Sequence, residues 1–153
     1  MKHTEVLAYA AGIVDGEGCI SIGKKSMGTD KLPRLTMILT VVNTNEWLIR
    51  WFKMQFGGNI RNQKPSNQRA KLKWVWRVES RKASEIIKLL LPYLQIKRPQ
   101  AELAIKFQSR KRNRGGTLAM RCMTDGEHAL NEADVMLMHI YNKKGVTNEG
   151  SIG

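Results

Sequence analysis

The sequence predicts an α+β domain built on one four-stranded antiparallel sheet with helices on one face, and three observations predict it. Two pairs of alternating apolar and polar segments follow one another, each pair preceded by a segment with helical spacing of apolar residues. The strand candidates carry Leu, Ile, Met, Val and Trp on one parity and Arg, Lys, Thr, Ser and Gln on the other, as in a sheet covered on one face only. With 153 residues, the chain has material for a single core and no comfortable second domain.

The first helix ends at Ala10 to Gly18, where small apolar residues run into Asp15 and Glu17 with Gly16 and Gly18 interleaved. The glycines are expected to let the backbone leave the helix through conformations barred to bulkier residues. A secretory leader is disfavoured, because Glu5 interrupts the apolar run after Lys2 and no cleavage site precedes the acids. From Cys19 to Lys25, Ile20 and Ile22 alternate with Cys19, Ser21 and Gly23, which predicts a half-buried strand. Residues 24–33 form a polar hairpin loop. In the second strand Leu35, Met37, Leu39 and Val41 share one face and Arg34, Thr36, Ile38 and Thr40 the other.

Asn43, Thr44 and Asn45 are candidate caps for the next helix, whose stripe is Trp47, Leu48, Trp51, Phe52 and Phe56 and whose stop is Gly57-Gly58. Asn59 to Gln63 is a short strand with Ile60 inward. Lys71 to Val78 is the fourth, with Leu72, Trp74, Trp76 and Val78 on one face; the tryptophans read as core packing rather than as base-stacking platforms. Ser80 is expected to cap a helix that runs toward Leu94 and is kinked or ended near Pro92. Pro99 opens another helix to about Phe107. A basic run from Arg110 to Gly116 leads to a last helix from about Glu127 to Tyr141, and residues from about 145 to 153 read as a flexible tail.

Charge narrows the partners. With 26 Lys and Arg against 13 Asp and Glu, the formal net charge is +13, so the chain attracts polyanions. Nucleic acid leads, and no membrane role is expected, because no apolar run has spanning length and the basic residues lie on strands and loops rather than on one amphipathic helix. Cys19 and Cys122 match no metal spacing, which suggests an intracellular, reducing compartment, and His3, His128 and His139 are scattered. A cationic two-stranded ribbon is narrow enough to enter the major groove, where Arg, Lys, Gln and Thr read base edges. Eight strand residues cover about 26 Å, or about eight base pairs.

The segment from Ala10 to Gly18 resembles the signature of the LAGLIDADG homing endonucleases, and the αββαββα order is similar to their core. Ala10 stands where the motif begins with Leu, Gly16 lies between the acids, and Glu17 replaces the second Asp. The resemblance implies a site-specific double-strand DNA endonuclease that cleaves a long, near-palindromic target by metal-dependent hydrolysis, with Mg2+ or another divalent cation such as Mn2+, in the service of intron homing. With one copy of the motif, it implies a homodimer. An RNA-binding maturase acting on its host intron RNA, or a non-cleaving DNA-binding regulator, is the alternative.

By that resemblance Glu17 and the carbonyl of Gly16 are metal ligands, and Glu17, Asn43 and Lys97 form the catalytic set, with Asn43 ordering water and Lys97 near the reacting phosphate. Asp15 is expected to brace the helix-to-strand turn. The two-fold contact is expected from Leu7, Ala8, Ala10, Ala11 and Gly12, where the alanines and the glycine permit close helix packing. Outward strand parity selects Ser21, Gly23, Lys25, Arg34, Thr36, Ile38 and Thr40 from the first pair as DNA contacts, and Arg61, Gln63, Lys73, Val75 and Arg77 from the second. Arg110, Arg112, Arg114, Lys143 and Lys144 are expected to follow the phosphate backbone.

Overall fold

The structure is a computed structural model that describes residues 1–29, 33–111 and 124–143. Its elements are α1 (His3–Glu17), β1 (Gly18–Lys25), β2 (Arg34–Asn43), α2 (Glu46–Phe56), β3 (Asn59–Gln63), β4 (Lys73–Glu79), α3 (Ser80–Leu90), a 3-10 turn (Leu91–Tyr93), α4 (Arg98–Arg110) and α5 (Asp125–Asn142). The four strands form one antiparallel sheet in the order β1-β2-β4-β3. This is the expected α+β arrangement, and each element lies within a few residues of its expected place.

Register assigns the faces. Ile20 pairs with Leu39, which pairs with Val78, and Val41 pairs with Trp76, which pairs with Ile60. Because side chains alternate along a strand, these residues share the face on which the helices pack. Ile20, Met37, Leu39, Val41 and Trp76 are fully buried there, joined by Phe52 of α2, Ile87 and Leu90 of α3, and Phe107 of α4. Trp76 is the keystone. Its ring lies 5.0 Å from Phe52 and 6.2 Å from Phe56, and its indole N–H donates to the carbonyl of Gly57 at 2.6 Å. A buried indole keeps a hydrogen-bond partner in this way, which fits the core-packing reading of the tryptophans.

Gly58, at φ +89, serves the same junction, since a Cβ there would come within 2.5 Å of Val78 Cγ1 and 2.9 Å of Trp76 Nε1. Asn45 caps α2 by accepting from the N–H of Leu48, and the helix buries Leu48, Ile49, Trp51 and Phe52. Trp47, expected in that stripe, is instead exposed at 63%, because it lies one residue (about 100°) from Leu48 and off the buried arc. Ser80 does not cap α3. It is the first helical residue and takes the left-handed φ of 53, with Glu79 in the cap position making no side-chain cap bond. The helix stops at Leu90 because the 3-10 turn with Pro92 follows.

α1 corrects a second expectation. Leu7, Ala10, Ala11 and Val14 are its buried face, packed into the chain's own core, so Leu7, Ala10 and Ala11 are not available to a second subunit. The 3.6-residue period puts Ala8, Gly12 and Gly16 on the opposite, exposed face. Of the five residues expected at a two-fold contact, Ala8 and Gly12 keep that possibility.

Candidate functional site

The junction of α1 and β1 is tied down by its own polar groups. The Asp15 carboxylate accepts three backbone N–H bonds from one loop: Gln95 at 2.8 Å, Ile96 at 3.2 Å and Lys97 at 2.9 Å. Lys97 answers by donating its ammonium to the carbonyls of Val14 at 3.0 Å and Asp15 at 2.6 Å. A cation at a helix C-terminus satisfies carbonyls that lack intrahelical partners and complements the helix dipole. Asp15 thus braces α1 against the segment before α4 rather than the helix-to-strand turn itself.

Gly18 makes that turn for a steric reason. Its φ of −86 is ordinary extended backbone, but a Cβ there would lie 2.7 Å from the Val14 carbonyl oxygen. Gly16 is helical and a Cβ on it would meet nothing within 4 Å, so the expected conformational role of the two glycines is replaced by close approach at Gly18 alone.

Glu17 differs from Asp15 in every respect. It is exposed at the last position of α1, and among the described residues no hydrogen bond or salt bridge engages its carboxylate. Lys97 senses it electrostatically. Burial pushes the Lys97 ammonium below its ordinary pKa, while Asp15, Cys19 and Glu17 pull it back up. One carboxylate, nearby terminal carbonyls of a helix and a partly desolvated ammonium therefore converge at one corner.

Asn43 stands at the same end of the sheet, two residues past the Gly18–Val41 pair. Its Oδ1 accepts the N–H of Asn45 at 2.8 Å, which shapes the turn into α2 and leaves the side-chain NH2 as its remaining polar group.

The other face of the sheet is open. Lys25 pairs with Arg34, Gly23 with Thr36, Ser21 with Ile38, Thr40 with Arg77, Arg61 with Val75, and Gln63 with Lys73. All twelve residues selected by parity therefore share this face. Two of them offer little to a ligand: Ile38 is 9% and Val75 3% exposed. Gly23 makes room for the first, as a Cβ there would lie 2.6 Å from Ile38 Cδ1. Cys19, Val42, Asn59 and Glu79 share the face as well, although they are not among the contacts expected from the sequence. Parity marks all four, but Glu79 lies one residue beyond the expected end of its strand.

Sequence comparison matches neither a protein-family model nor a curated protein. Comparison of structures is decisive. The homing endonuclease I-CvuI, in complex with its target, superposes with a TM-score of 0.67 at 25% identity, covering 94% of this chain and 86% of that one. I-Vdi141I, an archaeal intron-encoded homing endonuclease complexed with DNA, gives 0.72 at 14% identity over 98% and 92%. The chain has the LAGLIDADG homing endonuclease fold. It also matches I-GzeII, a LAGLIDADG homing endonuclease in complex with a DNA target, with a TM-score of 0.62 at 18% identity, covering 92% of this chain but 46% of that one.

Within the LAGLIDADG fold the loop and terminal cations separate into classes. Arg110, expected as a phosphate contact, is the last residue of α4 and pairs with Asp134 of α5, which is 8% exposed; it neutralises a buried acid between two helices. Lys111 is also internal, donating to the Leu35 carbonyl and lying 5.1 Å from the Phe107 ring, and burial lowers its pKa, with Arg34 lowering it further. Lys143 is exposed just beyond α5. Arg112, Arg114, Lys144, Cys122 and the expected tail lie outside the described residues. Among the described residues no helix is long and apolar enough to cross a membrane.

Proposed function

We propose that the chain is one subunit of a homodimeric, site-specific double-strand DNA endonuclease that hydrolyses phosphodiesters with a divalent cation and serves intron homing. The observation that carries the reading is the exposed carboxylate of Glu17 at the end of α1, unengaged among the described residues, together with a sheet face lined with Lys25, Arg34, Arg61, Lys73 and Arg77. That I-CvuI, I-Vdi141I and I-GzeII share the fold and are described with their DNA supports the same substrate.

Glu17 and the Gly16 carbonyl suit a hard divalent cation, which takes carboxylate and carbonyl oxygens. One carboxylate and one carbonyl are part of a coordination shell, which water, phosphate oxygens and a second copy of the chain can complete. The exposed stripe supports that copy. Gly12 and Gly16 lie in a helix, where glycine is costly, and none of the described residues comes within 4 Å of where their Cβ would lie. Close packing of a second α1 gives them a purpose, brings two Glu17 carboxylates near the two-fold axis, and implies a near-palindromic target. The match to 46% of I-GzeII agrees with a chain that supplies half of an assembly.

When bound, the cation supplies charge to the attacking water and the leaving oxygen. The chain's own groups do the rest: Glu17 holds the cation, the Asn43 amide orders water, and the Lys97 ammonium adds positive potential at the reacting phosphate while anchored on the carbonyls of Val14 and Asp15. The open sheet reads bases through its polar side chains, and the flanking cations hold phosphates.

The test is incubation with DNA carrying an intron-insertion site, with and without magnesium. Wild type is expected to cut both strands only with the metal, and Glu17→Gln to keep its fold and DNA binding but not cut. Full magnesium-dependent cutting by Glu17→Gln would refute the assignment.

A further inference from the structure

We infer that Glu79 is a positioning residue that presets Arg77 to read a guanine in each half of the target; the inference rests on the DNA-endonuclease reading above. The two residues lie two apart on β4, so both side chains stand on the open face. Glu79 Oε1 accepts from Arg77 Nε at 2.6 Å and lies 2.6 Å from Nη2. A guanidinium has five N–H donors in a planar fork. This contact occupies the Nε–Nη2 edge and leaves the Nη1–Nη2 end free, and that end can donate two parallel bonds to guanine O6 and N7. The side chains keep 37% and 48% exposure, so the free end is open to a ligand.

Two alternatives fail to explain the pair. Exposed ion pairs contribute little to stability, so the fold does not need it. Nor does general affinity for a polyanion, because Glu79 is the one carboxylate among the described strand residues of an otherwise neutral or cationic face. What the acid supplies is order. An arginine whose rotamer is set before binding loses less side-chain freedom at the interface, and it is held against swinging to the nearest phosphate when the base is wrong. The backbone beneath is fixed as well, since β4 is an interior strand and Arg77 is flanked across the ladder by Thr40 and Asn59.

The test is selection from a randomised double-stranded DNA library in EDTA, followed by binding to every single-base variant of the selected target. Wild type should discriminate a guanine in each half-site by roughly 5- to 150-fold, the range of one good bidentate contact. Arg77→Ala should abolish discrimination at that base pair. Glu79→Ala should cut it at least about fivefold at the same base pair, while affinity for unrelated DNA does not fall. Glu79→Gln keeps an acceptor for one guanidinium N–H and should retain part of the discrimination. Adding Glu79→Ala to Arg77→Ala should change nothing further.

If Glu79→Ala leaves the profile unchanged, alters a different base pair from Arg77→Ala, or weakens all sequences alike, the inference is overturned while the endonuclease reading stands. If wild type selects no target at all, both are overturned.

Discussion

Asp15 makes the strongest single demand of the structure, and Asp15→Ala tests it. The carboxylate accepts one half-buried N–H, from Lys97, and two exposed ones, from Gln95 and Ile96. Hydrogen bonds to a charged acceptor sit at the upper end of the usual range when shielded and lose much of their worth in contact with water. Taking about 1.5 kcal/mol for the shielded bond and roughly 0.5 for each exposed one gives a loss of about 2.5 kcal/mol. Asp15→Asn retains one acceptor oxygen with two lone pairs but turns an NH2 toward the third donor, so about half of that loss is expected.

The assay is urea unfolding at fixed protomer concentration, because the proposed dimer would make apparent stability concentration-dependent. Amide exchange supplies the local readout. The Ile96 and Lys97 N–H groups should exchange faster in Asp15→Ala, while amides at the centre of β4 change only as far as global stability does. A loss below about 0.5 kcal/mol with unchanged exchange at 96 and 97 would refute the bracing role, since three accepted bonds cannot vanish without a cost. So would an Asp15→Asn variant of undiminished stability that no longer cuts, because it would put Asp15 in the chemistry.

Three further outcomes follow from the same geometry. Burial lowers the Lys97 pKa below 10.5, so between its folded value and 10.5 the unfolded chain binds more protons and stability rises with pH; the stability of wild type relative to Lys97→Met should increase from pH 7 to pH 10, and a flat difference in paired urea titrations would contradict the burial. Arg110→Ala leaves the buried Asp134 unpaired and should cost on the order of 3 kcal/mol, while DNA affinity of the folded protein at low temperature changes little; a binding loss matching one phosphate contact in the salt dependence would restore the phosphate role. A Cβ at Gly12 meets nothing within 4 Å among the described residues and the position is exposed, so for Gly12→Leu circular dichroism should show an intact fold while sedimentation shows loss of the proposed dimer, and a wild type that sediments as a monomer on one half-site would reject the two-fold arrangement.

The sheet was the most legible part of the molecule in its sequence. A period of two admits only two face assignments per strand, and apolar residues at Met37, Leu39, Val41, Trp76 and Val78 fix the choice for the residues between them. Parity says nothing about depth, however, and so Ile38 and Val75 fall on the open face without being accessible. α1 was harder because Ala8, Ala10, Ala11 and Gly12 are all small: apolar periodicity is weak where every residue could face either way. Arg110 was illegible for another reason. Its partner Asp134 lies on a different helix, and a basic run gives no sign of which cation reaches inward.

The spacing of the two acids accounts for their unlike fates. At about 100° per residue, positions 15 and 17 fall on opposite flanks of the buried face made by Leu7, Ala10, Ala11 and Val14, so the two acids of the Asp-Gly-Glu triplet meet different surroundings. On the flank of Asp15 the loop before α4 offers three N–H groups and fixes it as an acceptor. Glu17, exposed at the helix end, has no hydrogen bond or salt bridge among the described residues, and Lys97 senses its charge. Gly16 lies between them on the stripe with Ala8 and Gly12, so a second α1 packed on that stripe would carry its own Glu17 to the same neighbourhood. An insertion of a single residue after Asp15 is therefore expected to abolish cutting more completely than Asp15→Asn, because it rotates Glu17 out of register with both Lys97 and the two-fold stripe.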